Sequence, residues 1–379
     1  MTAFDFQPRT RLLCGPDTID SLGALAGEMG ARRVLLVTDP GIVDAGHHDR
    51  ALASLVAANM ETQSFYEVQE NPTTEHVETG RRFAERHEPE LIVGLGGGSA
   101  MDCAKGINFV YSNGGQIKDY WGVGKALQPM LPMIAVPTTA GTGSETQSFA
   151  LISDAQSHVK MACGDKKASF RVAILDPKLT LTQPAQVTAL TGTDALAHAV
   201  ETFVTTRRNP VSLAFSREAW RLLSDNFARV LDDPDDLEAR GAMQLGASFA
   251  GMAIENSMLG AAHALANPLT ANYGVVHGQA VGMMLPHVVR FNGQQFDLLY
   301  RELSQAAAEN NGADGAKGLA DFLTDLTHKA NLAVALRELP ISRDELPRLA
   351  SEAAEQWTAQ FNPRPVAVEH LQEIYEAAY

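Results

Sequence analysis

The sequence predicts an α/β N-terminal half built on a parallel sheet, followed by an all-α C-terminal half. Three observations carry this reading. As far as Gln183-Pro184, short apolar runs alternate with amphipathic stretches; beyond that point the β-rich runs stop and long amphipathic segments take over. At 379 residues the chain also exceeds what one ordinary hydrophobic core organises. Strand and helix in alternation give a doubly wound parallel sheet. The expected domains are residues 1–184 and 185–379.

The elements follow in order. Asp17 and Thr18 open an apolar series, Ile19, Leu22, Leu25, Ala26 and Met29, at helical spacing, and Gly30 closes it. Val34 to Thr38 is a short buried strand. Ala51 to Met60 reads as helix, Gln63 to Val68 as strand, and Thr73 to His87 as helix with Thr73 or Thr74 as its cap. Leu91 to Gly94 and Met133 to Val136 are further strands. Past residue 184, Pro210 to Leu223 and Leu237 to Ala253 read as helices, separated by the loop Asp232-Asp233-Pro234-Asp235.

Composition narrows the function classes. Hydrophobic content of 45% and charged content of 20% suit a globular protein, and a net charge of -15 argues against a nucleic-acid partner and an anionic membrane surface. Three cysteines, Cys14, Cys103 and Cys163, show no CxxC spacing and form no disulfide framework, so reduced thiols in a cytoplasmic protein are expected. The opening MTAFDFQPRT lacks the basic-then-apolar pattern of a signal peptide. No apolar run approaches the ~20 residues of a membrane helix.

Two loops suit a nucleotide. In LIVGLGGGSAMDCAK (residues 91–105) a buried strand runs into glycines, and a helix starts near Ser99. Glycines let the backbone approach a ligand closely, and a helix N-terminus offers free N–H groups to a diphosphate, with Gly97, Gly98 and Ser99 as the donors. A plain strand-to-helix turn is the alternative. The polar turn PTTAGTGSE (residues 137–145) follows the strand at Met133 to Val136, and two such loops at equivalent places suggest the crevice at the carboxyl ends of parallel strands. Asp39 ends another strand; it fits either a ribose diol, with NAD favoured over NADP, or a turn before Pro40-Gly41.

Two further stretches suit a metal. In TGTDALAHAVE, Asp194 and His198 are four residues apart, which turns a helix by about 400° and leaves the side chains offset by roughly 40°. Their apolar neighbours bury that face, so both groups need a partner, which a plain Asp–His hydrogen bond or a metal would supply. His263 and His277 are separated by Pro268 and Gly274, which forbid one continuous helix, so only the fold can bring them together. Three imidazoles and one carboxylate would accept zinc or ferrous iron, and an open coordination position would stabilise an alkoxide.

The stretches GGGSAMDCAK, PTTAGTGSE, DALAHAVE, HALANPL…HG and Asn362-Pro363-Arg364 occur together and in order. In this the chain resembles the iron-containing (group III) alcohol dehydrogenases over nearly its whole length. The resemblance implies a dehydroquinate synthase-like architecture: an α/β dinucleotide-binding domain, an all-helical metal-binding domain and an active site in the cleft between them. It implies metal ligation by Asp194, His198, His263 and His277. It implies cofactor contacts from Asp39, Asn71, Gly97, Gly98, Ser99, Thr138, Thr139, Thr142, Lys160 and Leu179, with Asp102 beside the diphosphate or nicotinamide; Asn71 and Lys160 rest on it alone. Phe149 and Ile254 would line the substrate pocket. The implied activity is an Fe2+- or Zn2+-dependent alcohol dehydrogenase or aldehyde reductase. It would act on a small primary or secondary alcohol with NAD, as a homodimer. The alternative is an NAD-using lyase like the 3-dehydroquinate synthases. One departure stands out. Many members carry a second histidine four residues after the third ligand, as a proton relay. Here that position is Asn267, an amide that cannot titrate near neutrality but can hydrogen-bond a polar substrate.

Overall fold

The computed structural model describes residues 4–157, 159–306 and 314–379. The chain forms two compact units, one of residues 7–139 and 143–183, the other of residues 4–6, 140–142 and 184–379.

In the α/β unit the order is β1 (Arg11–Cys14), α1 (Leu22–Glu28), β2 (Arg33–Val37), α2 (Pro40–Asp44), α3 (His47–Ala57), β3 (Glu61–Phe65), α4 (Thr74–His87), β4 (Leu91–Gly96), α5 (Gly98–Asn113), β5 (Gly122–Val123), β6 (Met133–Pro137), β7 (Phe149–Ser153), β8 (Lys160–Gly164) and β9 (Val172–Leu175). Six strands make one sheet in the order β1-β9-β6-β4-β2-β3, parallel at every pairing. β3 lies on one side of β2 and β4 on the other, so the winding reverses between β2 and β4. Such a switch point opens a crevice at the strands' carboxyl ends. Leu36, Val93, Leu95, Val136 and Ile174 pack with Leu22 and Leu55 of the flanking helices in one buried cluster.

The structure moves several expected boundaries. The second expected helix starts earlier, at His47, because Gly46 takes a left-handed φ of 79°; it stops at Ala57, before Asn59 turns left-handed at φ 58°. β3 is Glu61–Phe65 and not Gln63 to Val68: as an edge strand it buries few side chains, and apolar Tyr66 and Val68 lie beyond it. β1, β9 and a small sheet ordered β5-β8-β7 were not expected; within the small sheet β7 and β8 pair antiparallel. These strands are two to five residues long, too short for a period to register.

In the helical unit α6 (Ala185–Val204), α7 (Pro210–Asp232), α8 (Leu237–Asn256), α9 (Ala261–Tyr273), α10 (His277–Ala306), α11 (Gly315–Lys329), α12 (Leu346–Ala354) and α13 (Val368–Ala378) surround an apolar core that includes Trp220, Phe227, Leu265, Met284 and Tyr375. No strand occurs among its described residues. Asn209 caps α7 through its side chain, accepting from Val211 N and Ser212 N, and Asp236 caps α8, accepting from Ala239 N at 2.9 Å. Pro268 does not break α9, which runs through it to Tyr273. The break is at Gly274, whose φ is 65°. A proline removes one N–H and strains one turn, a cost that burial of the surrounding helix offsets here.

Candidate metal centre and nucleotide loops

α6 brings Asp194, His198 and Glu201 to one face at spacings of four and three residues. α9 supplies His263 near its start, and His277 is the first residue of α10. The donor atoms of Asp194, His263 and His277 all lie within 4.8 Å of one another. Asp194 Oδ1 is 3.5 Å from His198 Nε2, 3.5 Å from His263 Nε2 and 3.8 Å from His277 Nε2. Asp194, His198 and His263 are buried.

α10 reaches this position because of two glycines facing α6. A Cβ on Gly278 would stand 2.2 Å from the Leu190 carbonyl oxygen, and one on Gly282 would stand 2.2 Å from Thr193 Cγ2. Without side chains there the two helix backbones approach closely, and His277 is carried against Asp194.

The four residues fit a divalent cation. Asp194 Oδ1 and His263 Nε2 are buried and make no hydrogen bond. Buried polar atoms of a native protein nearly always have a partner, and one carboxylate with three imidazoles is a set that iron or zinc satisfies. Burial alone raises the Asp194 carboxyl, but the surrounding imidazoles outweigh it and hold it well below the usual range. Burial lowers His198, and the neighbouring His263 adds to this, which keeps a neutral nitrogen available.

Glu201 had no expected role. Its Oε2 meets His263 Nδ1 at 2.5 Å, and its Oε1 accepts from Ala262 N at 2.7 Å. The first contact fixes the His263 tautomer, so that Nε2 faces Asp194 as an acceptor. A signal was present: residues seven apart return to one helix face, as Asp194 and Glu201 do.

Asp39, Gly97, Gly98, Ser99, Thr138 and Thr139 follow the carboxyl ends of β2, β4 and β6. Gly96 pairs with Pro137, so the two polar loops leave adjacent strands, and Thr138 N donates to Gly96 O at 3.0 Å. Thr139 Cγ2 would lie 3.4 Å from a Cβ on Gly97, which is the N-cap of α5. Gly96 itself escaped notice; its φ of 142° and the 2.9 Å between an added Cβ and Ala100 Cβ demand glycine. Asp39 takes the turn role before Pro40-Gly41. Oδ1 caps α2 by accepting from Ile42 N at 3.1 Å, while Oδ2 stands 3.1 Å from where a Cβ on Gly96 would be. Burial raises its carboxyl against the Ile42 and Gly41 N–H groups. Asn71, left-handed at φ 53°, donates its backbone N–H to Ser99 Oγ at 3.3 Å, and Gly98 is the first residue of α5.

Asp102 joins a buried network. Ser144 donates to its Oδ1 at 2.6 Å, and fully buried Lys105 sits 3.7 Å from it while donating to Ser144 O and Phe149 O, each at 2.7 Å. Burial raises the Asp102 carboxyl, and Lys105, Ser144 and Lys160 partly offset this. Lys160 is exposed at the start of β8. Leu179 is only 1% exposed and its side chain belongs to the core with Leu95 and Ile174, which leaves its backbone for a ligand. Thr142 lies in the stretch 140–142 that groups with the helical unit. Phe149 packs its ring over Gly164, in the α/β unit. Ile254 is buried near the end of α8, and Asn267 donates to Gln356 Oε1 at 2.9 Å.

Comparison with known proteins agrees with this chemistry. The family model described as iron-containing alcohol dehydrogenase matches residues 8–177, and that of the family's C-terminal part matches residues 188–379. The chain is 31% identical to the NAD-dependent methanol dehydrogenase of Bacillus methanolicus over 382 aligned residues, covering 100% of each. Its fold superposes on the crystal structure of a 1,3-propanediol oxidoreductase with a TM-score of 0.96 at 31% identity, covering 100% of both chains. It also superposes on sulfoacetaldehyde reductase from Bifidobacterium kashiwanohense in complex with NAD+, with a TM-score of 0.91 at 26% identity, covering 100% of this chain and 99% of that one. Matched over residues 8–177 and 188–379, in both its sheet-bearing half and its helical half, the chain belongs to the iron-containing alcohol dehydrogenase family.

Proposed function

We propose that this protein is a metal- and NAD(H)-dependent alcohol dehydrogenase or aldehyde reductase acting on a small alcohol or aldehyde. The observation that carries the reading is the convergence of three imidazoles on Asp194 Oδ1, in a chain of this family. Asp194, His198, His263 and His277 would hold iron, with zinc as the alternative. When bound, the metal supplies positive charge that lowers the pKa of a substrate hydroxyl, and NAD accepts the hydride. The protein orients and positions. Glu201 holds the His263 ring, Gly97, Gly98 and Ser99 offer backbone and hydroxyl donors to the diphosphate, and Thr138, Thr139 and Thr142 add hydroxyls. Asp39 accepts from the adenosine ribose and selects NAD. Asn71, Asp102, Lys160 and the Leu179 backbone complete the cofactor contacts, with Phe149, Ile254 and Asn267 on the substrate side.

The lyase alternative is not favoured, because α6 and α9 contain no Lys or Arg to hold a substrate phosphate. A cytoplasmic location is supported by the unpaired cysteines Cys14, Cys103 and Cys163. No helix among the described residues is long and apolar enough to cross a membrane. The homodimeric state rests on the family resemblance. The test is NADH formation from a panel of small alcohols, before and after metal stripping and after reconstitution with iron or zinc separately. Turnover is expected to vanish on stripping and to return with one of the metals. Undiminished turnover by metal-free protein excludes the metal role.

A further inference from the structure

We infer that Tyr300 donates, through one water held in a small cavity of the helical unit, to the Glu201 carboxylate, and that Asn362 and Asn292 fix Tyr300 as that donor. All three are thereby positioning residues for His263. This role rests on the metal centre proposed above, and it accounts for the Asn362-Pro363-Arg364 stretch, to which that proposal assigns nothing.

The direction of each bond in this cluster follows from one carbonyl. Arg364 O can only accept, so the Asn362 atom that meets it at 2.6 Å is Nδ2. Asn362 Nδ2 also donates to Asn292 Oδ1 at 2.7 Å, and Asn362 Oδ1 accepts from Asn292 Nδ2 at 3.0 Å. The other proton of Asn292 Nδ2 goes to Tyr300 Oη at 2.9 Å. α10 bends between these two residues, at Phe296, where φ is -126° and ψ is 29°. Every amide proton of the asparagine pair is now placed. Tyr300, 1% exposed, keeps its own hydroxyl proton with no protein acceptor among the described residues. A buried polar group nearly always has a partner. Burial pushes the Tyr300 hydroxyl well above its ordinary value against the Asn292 hydrogen bond, and the Glu201 charge adds to the rise, so the phenol stays a donor.

Tyr300 and Glu201 line one cavity of about 10 Å³, together with Asn292, Asn362 and apolar Val204 and Val288. That is close to the least space that holds a water. Glu201 Oε1 and Asn362 Oδ1 face a common point on its wall: a Cβ on Gly260 would stand 3.0 Å from the first and 3.3 Å from the second. Both oxygens accept, so they cannot bond each other, and a donor placed between them serves both. A water there accepts from Tyr300 and donates its two protons to Glu201 Oε1 and Asn362 Oδ1, which makes about three bonds, the usual number for a buried water. Glycine at position 260 keeps that point clear of a side chain. Glu201 Oε1 already accepts from Ala262 N at 2.7 Å, while Oε2 meets His263 Nδ1 at 2.5 Å. A further donor on Oε1 locks the carboxylate plane, and with it the imidazole whose Nε2 faces Asp194.

The test has a structural and an equilibrium arm, both on the full chain. A crystal structure of the zinc-loaded wild-type protein is expected to show one ordered water within hydrogen-bond distance of Tyr300 Oη and Glu201 Oε1. A cavity without that water, or a Tyr300 hydroxyl turned to another acceptor, overturns the inference, and this arm decides even if a variant fails to fold. Zinc affinity is read by competition with a chromogenic chelator. Tyr300→Phe removes the hydroxyl and keeps the ring; it is expected to weaken zinc binding by about three- to tenfold, below the range for an outer carboxylate itself. Tyr300→Phe combined with Glu201→Gln is expected to bind zinc no more weakly than Glu201→Gln alone, because the route through Glu201 is already cut. A hydroxyl that served the fold alone would lower the Tm of the metal-free protein and leave zinc affinity as it was. Unchanged affinity in Tyr300→Phe, or additive losses in the double variant, therefore overturns the inference and leaves the metal centre intact. Wild-type protein that binds neither zinc nor iron defeats the metal centre, and the role of Tyr300 falls with it.

Discussion

Glu201 shows how one side chain organises a metal ligand. Its two oxygens meet two donors, the Nδ1–H of His263 and the N–H of Ala262. A glutamine has one acceptor oxygen and cannot serve both. Glu201→Gln is therefore expected to weaken metal affinity by about 10- to 100-fold, the usual range for an outer carboxylate on a ligating histidine. Titration against a competing chelator reads this directly, and an unchanged affinity would remove Glu201 from the metal centre. Asp39 combines two duties in the same way, capping α2 with one oxygen and facing Gly96 with the other. Glycine replaces an N-cap residue at a cost of only a few tenths of a kcal/mol, so Asp39→Gly isolates the second duty. The variant is expected to improve kcat/KM for NADP on the order of tenfold, a difference of about 1.4 kcal/mol. No gain in NADP use counts against Asp39 as the selector.

At the scale of elements, the approach of α10 to α6 decides whether His277 meets Asp194. Gly278 and Gly282, four residues apart on α10, allow that approach. Gly278→Ala forces a methyl against the Leu190 carbonyl, where the backbone must shift. Overpacking of this kind costs about 1–3 kcal/mol, and here it also moves His277 away from its partners. A lower Tm together with weaker metal binding is expected; a lower Tm with unchanged binding would mean that α10 yields elsewhere and keeps its first residue in place. The expected elements mostly formed where a period was long enough to read. α4, α7 and α8 span 14, 23 and 20 residues and carried clear helical spacing. β1, β5 and β9 did not, because two to four residues hold no period, and their place is set by neighbouring strands. Of the two residues read as forbidding one continuous helix from His263 to His277, Gly274 makes the break and Pro268 is carried within α9, where the buried helix around it offsets a single lost bond, a balance invisible in local sequence.

Over the whole molecule, a metal held by residues 194, 198, 263 and 277 would join three helices of the helical unit. A ligand that binds only the folded state stabilises it by about 2.7 kcal/mol at a hundredfold excess over Kd. Metal removal is thus expected to lower Tm by several degrees, roughly 2–4 °C per kcal/mol for a unit of this size, with partial recovery on adding iron or zinc. Calorimetry with and without chelator measures it, and a Tm insensitive to metal would argue against a resident ion. What the sequence determined by itself is whatever local chemistry dictates: the alternation that makes a parallel sheet, the glycine and hydroxyl loops that follow its strands, and the four-residue step from Asp194 to His198. Those features depend on neighbours within a turn or two. Only the tertiary structure decided that His263 and His277 share one point with Asp194, that Gly278 makes room for this, and that Asn267 donates to Gln356. Each of these joins residues from 69 to 89 positions apart. No spacing rule reaches that far, because the packing of whole helices, and not the chain between them, sets such distances.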